Sequence, residues 1–183
     1  MLLIIYFDTF FSNLLHQLKM YKIPHIKQKY SDIQSPQHFA NILKKNNIDK
    51  AIIAGSQQRI LQLPHNLCYL DALIANPAIK RIIGICFGWQ YLAKTHGGKL
   101  VEGTNLNKEY TVTGFNIPLW FNHYDYVVSM PTDWIIHDKK PNTQVITAAS
   151  SQSGRLIGFQ FHPEKQKQTF ELFILPFLYG ATQ

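Results

Sequence analysis

The feature that most constrains this chain is a set of short, nearly unbroken apolar runs: LLIIYF at residues 2–7, KAIIAG at 50–55, RIIGI at 81–85 and RLIGFQF at 155–161. A strand with one wetted face alternates apolar and polar residues, whereas these runs offer water no polar face. They must be covered on both sides, which a parallel sheet layered between helices achieves. The intervening segments carry the helical signals. Phe10, Leu14, Leu15 and Leu18 recur at helical spacing after the first run, with Asp8 or Thr9 placed as the cap. Residues 23–30 read as extended, and in SPQHFANILKKNN Ser35 is set to cap a helix whose first position is Pro36. A short helix is expected near Leu67 to Ala75, after a loop holding Pro64, and another over GWQYLAKTH, closed by Gly97 and Gly98.

After residue 100 the pattern changes. KLVEG, EYTVTGFNI, YDYVVSM and TQVITAAS are short β-rich runs with turn residues between them, expected to extend one sheet edge or form a small side sheet. One last apolar helix, about Gln168 to Tyr179, is expected despite Pro176. No internal repeat or linker divides the chain, so residues 1–183 read as a single domain, large enough to bury a core of two or three layers.

Composition narrows the function classes. With 46% hydrophobic and 16% charged residues the chain is globular rather than disordered. Two cysteines are too few for a disulfide framework and suit a reducing compartment, so a cytoplasmic protein is expected. The opening MLLIIYFDTFFSNLL has no basic leader and is interrupted by Asp8, which argues against both a signal peptide and a membrane span. The net charge of +7 comes from lysines scattered in pairs without arginine clusters. That reads as surface solvation or docking on an acidic protein, not as a nucleic-acid interface. Neither a phosphate-binding loop nor a dinucleotide fingerprint occurs, and no metal or cofactor is expected.

The stretch RIIGICFGWQ is where chemistry first shows. An apolar strand, a sharp turn and a helix place Cys86 between Gly84 and Gly88, the glycine-x-nucleophile-x-glycine pattern of a nucleophile elbow. Both glycines make steric sense where helix and strand pack closely, and the amide of Phe87 would face a developing oxyanion. A helix N-terminus contributes about 0.3–1 kcal/mol, up to about 2 when partly buried. Each pKa unit takes about 1.4 kcal/mol, so the helix alone does not ionise a thiol at neutral pH. A partner must come from elsewhere; without one Cys86 would be an inert core residue. The other thiol, Cys68, lies in NLCYLDAL at apolar helical spacing and reads as core packing.

A candidate partner closes the strand RLIGFQFHPE, where His162 is followed by Pro163 and Glu164. In α/β sheets chemistry gathers beyond the carboxyl ends of the strands, and Cys86 and His162 both stand at such an end, 76 positions apart. Glu164 can reach back to the second ring nitrogen, giving nucleophile, base and orienting carboxylate.

GICFGWQ and GFQFHPE together resemble the two signature motifs of class I glutamine amidotransferases, and LLIIYFDTFFSNLLHQL is similar to that family's opening strand, turn and helix. The similarity spans nearly the whole chain, at the length of a free-standing glutaminase subunit. It implies that the α/β fold read above, a central mostly parallel sheet with helices on both faces, is a flavodoxin-like three-layer sandwich with a small added β region. It implies that Cys86 attacks the side-chain amide of L-glutamine, that His162 and Glu164 complete a triad, and that a thioester forms, releasing ammonia to a separate synthase.

Further site residues follow from the same resemblance. Gln90 matches a substrate-holding glutamine, and FNHYDYV (121–127) resembles a loop whose backbone at Tyr124 and Asp125 meets the substrate's amino and carboxylate ends. The alternative for that stretch is a plain aromatic strand. Gly55 keeps one glycine of the family's Gly-Gly-Pro, while Ser56 and Gln57 replace the other two residues and leave the loop more freedom. NKEYTVTGFNI and NHYDYVVSMP resemble the GMP-synthetase type, slightly favoured, whereas the opening leans toward the anthranilate-synthase type. A free-standing γ-glutamyl hydrolase and a catalytically weak binding module are the alternatives.

Overall fold

The computed structural model describes residues 1–8, 11–63, 67–103 and 107–180. The first half alternates: β1 (Leu2–Tyr6), α1 (Ser12–Met20), β2 (His25–Lys29), α2 (Pro36–Lys45), β3 (Lys50–Ile53), α3 (Cys68–Ala75), β4 (Arg81–Ile85) and α4 (Phe87–Thr95). Then come β5 (Lys99–Val101), β6 (Asn107–Val112), β7 (Pro118–His123), β8 (Tyr126–Ser129), β9 (Trp134–Lys139), β10 (Ile146–Ser151) and β11 (Leu156–Phe159). The chain closes with α5 (Lys167–Phe173) and α6 (Leu175–Tyr179).

The central sheet runs β2-β1-β3-β4-β11-β10-β9. Its first five strands are parallel, and β10 and β9 complete it antiparallel. Alternate residues of each apolar run go to opposite faces. Leu3 and Ile5 pack with Phe39, Leu73 and Leu92 of α2, α3 and α4. Leu2 and Ile4 pack with Leu14, Phe170 and Leu178 of α1, α5 and α6. This is the expected α/β sandwich, and its two faces explain why the runs contain so few polar residues. The added β region takes both forms anticipated: β9 and β10 extend the edge, while β5–β8 and β6–β7 are separate antiparallel pairs.

Ser35 caps α2 as read, its side chain accepting from the amide of His38 at 3.1 Å. Four expectations need correction. The first residue flanking α1 is Phe11, with no side-chain cap bond; Asp8 is engaged elsewhere, and Thr9, Phe10 and Pro64 lie outside the described residues. Cys68 is exposed, because it opens α3 and Leu70 and Leu73 take that helix's buried face. The final helix is two, breaking at Ile174 just before Pro176, which has no amide hydrogen to continue the ladder. FNHYDYV is not one loop: it runs from β7 through a turn at 124–125 into β8.

Candidate active site

β3, β4 and β11 are adjacent and parallel, so residues following their carboxyl ends converge. These are Gly55, Cys86 and His162. Cys86 bridges β4 and α4 at φ +50° and ψ −102°, a conformation L-residues adopt only when their surroundings impose it. Its amide donates to the Phe159 carbonyl at 2.7 Å. A Cβ at Gly84 would lie 2.6 Å from the Gly88 backbone, and one at Gly88 would collide with the Ile53 carbonyl. The turn is therefore wedged between strands where only hydrogens fit. Phe87 opens α4, where first-turn amides lack intrahelical acceptors.

His162 Nδ1 and Glu164 Oε1 are 2.8 Å apart, and both side chains are buried. A carboxylate has no proton to give, so Nδ1–H donates. Burial opposes the charged ring, but the Glu164 carboxylate and the Cys86 sulfur outweigh it and raise the His162 pKa to about 10. Gly55 presses on both partners: its missing Cβ would sit 2.9 Å from His162 Cε1 and 3.7 Å from Cys86 Cβ. The His162 amide donates to the Trp120 carbonyl at 2.8 Å, which ties the β6–β7 ribbon to the end of β11.

Cys86 opens into a cavity of about 240 Å³ between the 56–59 and 122–125 segments, with Gln90 and Lys108 also lining it. The Cys86 thiol donates to the Asn122 carbonyl at 3.4 Å. Gln90 donates from Nε2 to the Asp125 carbonyl at 2.7 Å and to Gln160 Oε1 at 3.3 Å. Tyr124 lines the cavity, with the Arg59 guanidinium 5.1 Å from its ring centre. The Asp125 carboxylate is turned inward and accepts from Arg59 Nη2 at 2.7 Å and Nε at 3.3 Å, and from the Leu61 amide at 3.3 Å. Of the expected site residues, Cys86, Gln90, Tyr124 and Asp125 line the opening, while Gly55, Phe87, His162 and Glu164 lie outside its lining.

Sequence reasoning missed four further residues here. Arg59 joins the two cavity walls, and its one signal was a lone arginine close behind Gly55 in AIIAGSQQR. Asp8 Oδ2 accepts from Ser56 Oγ at 2.9 Å and the Gln57 amide at 3.0 Å, so the loop expected to be freer is anchored instead. His123 is buried, its Nδ1 donating to the Asp125 carbonyl at 3.2 Å, and burial pushes its pKa down to about 4. Lys108 reaches the cavity from β6. The Arg59 and Asp8 pairings span 48 to 66 positions, and only the His123–Asp125 contact is local.

A layered α/β sheet that gathers a thiol, an imidazole and a carboxylate at neighbouring strand ends defines a protein equipped for acyl transfer. The chain belongs to the glutamine amidotransferase class-I family, whose model matches residues 2–178. It is 28% identical over 151 residues to GMP synthase [glutamine-hydrolyzing] of Staphylococcus saprophyticus, covering 74% of this chain and 28% of that protein. The namesake of Pyrobaculum aerophilum is 27% identical over 161 residues, covering 79% and 31%. The chain thus spans about three-tenths of the length of these relatives. Among solved structures, a Thermotoga maritima glutamine amidotransferase matches with TM-score 0.66 at 14% identity, covering 98% of this chain and 82% of that one. A Thermoplasma acidophilum protein, provisionally described as one subunit of a GMP synthase, matches at TM-score 0.70 and 16% identity, covering 94% and 90%. At those identities the likeness speaks for the fold.

Proposed function

We propose that this chain hydrolyses the side-chain amide of L-glutamine and delivers the ammonia to a separate synthase of the GMP-synthetase type. The observation that carries this is the meeting of Cys86, which lines the cavity, with the buried His162–Glu164 pair at neighbouring strand ends. His162, with Nδ1–H held by Glu164 and its pKa raised to about 10, takes up the thiol proton at Nε2 ahead of attack and stands as an imidazolium beside the sulfur. The thiolate attacks the amide carbon, and the oxyanion is held by the Phe87 amide and a backbone amide following Gly55. Collapse expels ammonia as His162 returns the proton, leaving a γ-glutamyl thioester. Water, deprotonated by His162, then releases glutamate and regenerates the thiol. The GMP-synthetase assignment draws on the relatives named above. The exposed ribbon face beside the cavity, with Tyr110 packed on Trp120 at 4.8 Å and Val112 beyond, offers the synthase an apolar contact.

The test is a glutamate-release assay on the purified chain, alone and with the ATP-using part of a GMP synthase, paired with a diazoketone analogue of glutamine. Exposure alone would favour reaction at Cys68. The analogue is expected to label Cys86 and spare Cys68, with activity abolished in Cys86→Ala. Equal labelling of both thiols, or activity surviving that substitution, would sink the reading.

A further inference from the structure

We propose that Lys108 binds the α-carboxylate of the substrate, an inference that rests on glutamine being that substrate. An amino acid entering a half-enclosed cavity brings a carboxylate that needs a cation or several N–H donors. Arg59 is committed. Its Nε and Nη2 go to Asp125, its Nη1 to Glu102 at 2.9 Å, and its Nη2 also to the Gly103 carbonyl at 3.2 Å. One guanidinium facing two carboxylates leaves that wall net negative, suited to the α-ammonium. His123 is buried within its strand, held to the Asp125 carbonyl.

Lys108 is different. It lines the cavity, is exposed, and has no ion pair or hydrogen bond to another group among the described residues. In the antiparallel register it lies opposite Asn122, whose carbonyl accepts from the Cys86 thiol. Directly paired residues project to the same face of a ribbon. The ammonium therefore hangs on a flexible four-carbon stem one cross-strand pair from the thiol. With the carboxamide of glutamine at Cys86, two methylenes carry the α-carbon back toward the cavity mouth, where that ammonium waits. A cation at this place recognises the free carboxylate and discriminates against amides that lack it.

Calorimetry on the Cys86→Ala chain, with and without Lys108→Met, Lys108→Arg or Arg59→Gln, separates the possibilities. Lys108→Met is expected to weaken L-glutamine binding about 10-fold, as loss of one charge-assisted contact would. Lys108→Arg should stay within about 3-fold of the parent, since the charge is retained. Binding of 4-aminobutanamide, which keeps the amide and ammonium but lacks the carboxylate, should be weak and indifferent to Lys108→Met. An unchanged glutamine affinity in Lys108→Met, or an equal loss for both ligands, overturns the inference. So does a carboxylate-specific loss found only in Arg59→Gln. If the parent binds no glutamine at all, the substrate reading fails first and this inference falls with it.

Discussion

In the proposed reaction Glu164 and His162 divide one task at atomic scale: the ring moves a proton, and the carboxylate fixes which nitrogen holds it. Under the proposed reaction, His162→Ala is expected to lower glutamate release by roughly 10²–10⁴-fold, the usual worth of a general base. Glu164→Gln should be milder, because an amide still accepts from Nδ1–H. The pair also has a stability signature. The folded pKa of His162, about 10, is raised above the ordinary value of 6.5. The stabilisation is therefore fully present below about 6.5 and lost as pH climbs through about 10. Urea midpoints at pH 7 and pH 9 should fall more steeply for the wild type than for Glu164→Gln; equal slopes would separate the carboxylate from the shift. The residues of this pair were legible because strand ends and a His-Pro-Glu turn are local patterns. Arg59 was not, since its partner Asp125 lies 66 positions away and nothing in GSQQR announces it.

Between residue and fold stand the loops. The 56–58 segment is held by one carboxylate, Asp8, which joins the end of β1 to the end of β3. Ser56 Oγ in turn accepts from the Gln58 amide at 3.1 Å, so the segment is cross-braced by side chains where its family uses glycine and proline. Asp8→Ala removes the brace. Glutamate release is expected to fall, by at most the roughly 10²–10³-fold that one oxyanion donor supplies, while the core helices keep their circular dichroism. Full activity in that variant would show that the loop does not need Asp8. Elements were read best where burial on two faces leaves a plain signature, as in β1, β3 and β4. β9 went unread because its residues run buried, exposed, exposed, exposed, buried, exposed, with no period of two. The division of the last helix turned on Pro176, whose break depends on packing rather than on pattern.

On the scale of the whole molecule, the sheet order matters most. β11 is the last strand in sequence, yet it lies inside the sheet, parallel to β4 and antiparallel to β10. Long-range parallel pairings of this kind close late, because the loop entropy must be overcome before the contact forms. Gly158 on that strand packs so closely on the Trp89 ring that any side chain there would overlap it. The seat for β11 must therefore be nearly complete before the strand enters. Refolding then has an internal clock in its two thiols: Cys86 is buried in the native state and Cys68 exposed. Pulsed alkylation during refolding should find Cys86 shielded only in the slowest phase, together with the amides of β11, while Cys68 stays reactive throughout. Shielding of Cys86 before those amides would contradict that order. A chain emerging from the ribosome would, by the same token, carry its thiol long before His162 is in place, so that under the proposed reaction no partly made copy could begin to consume glutamine.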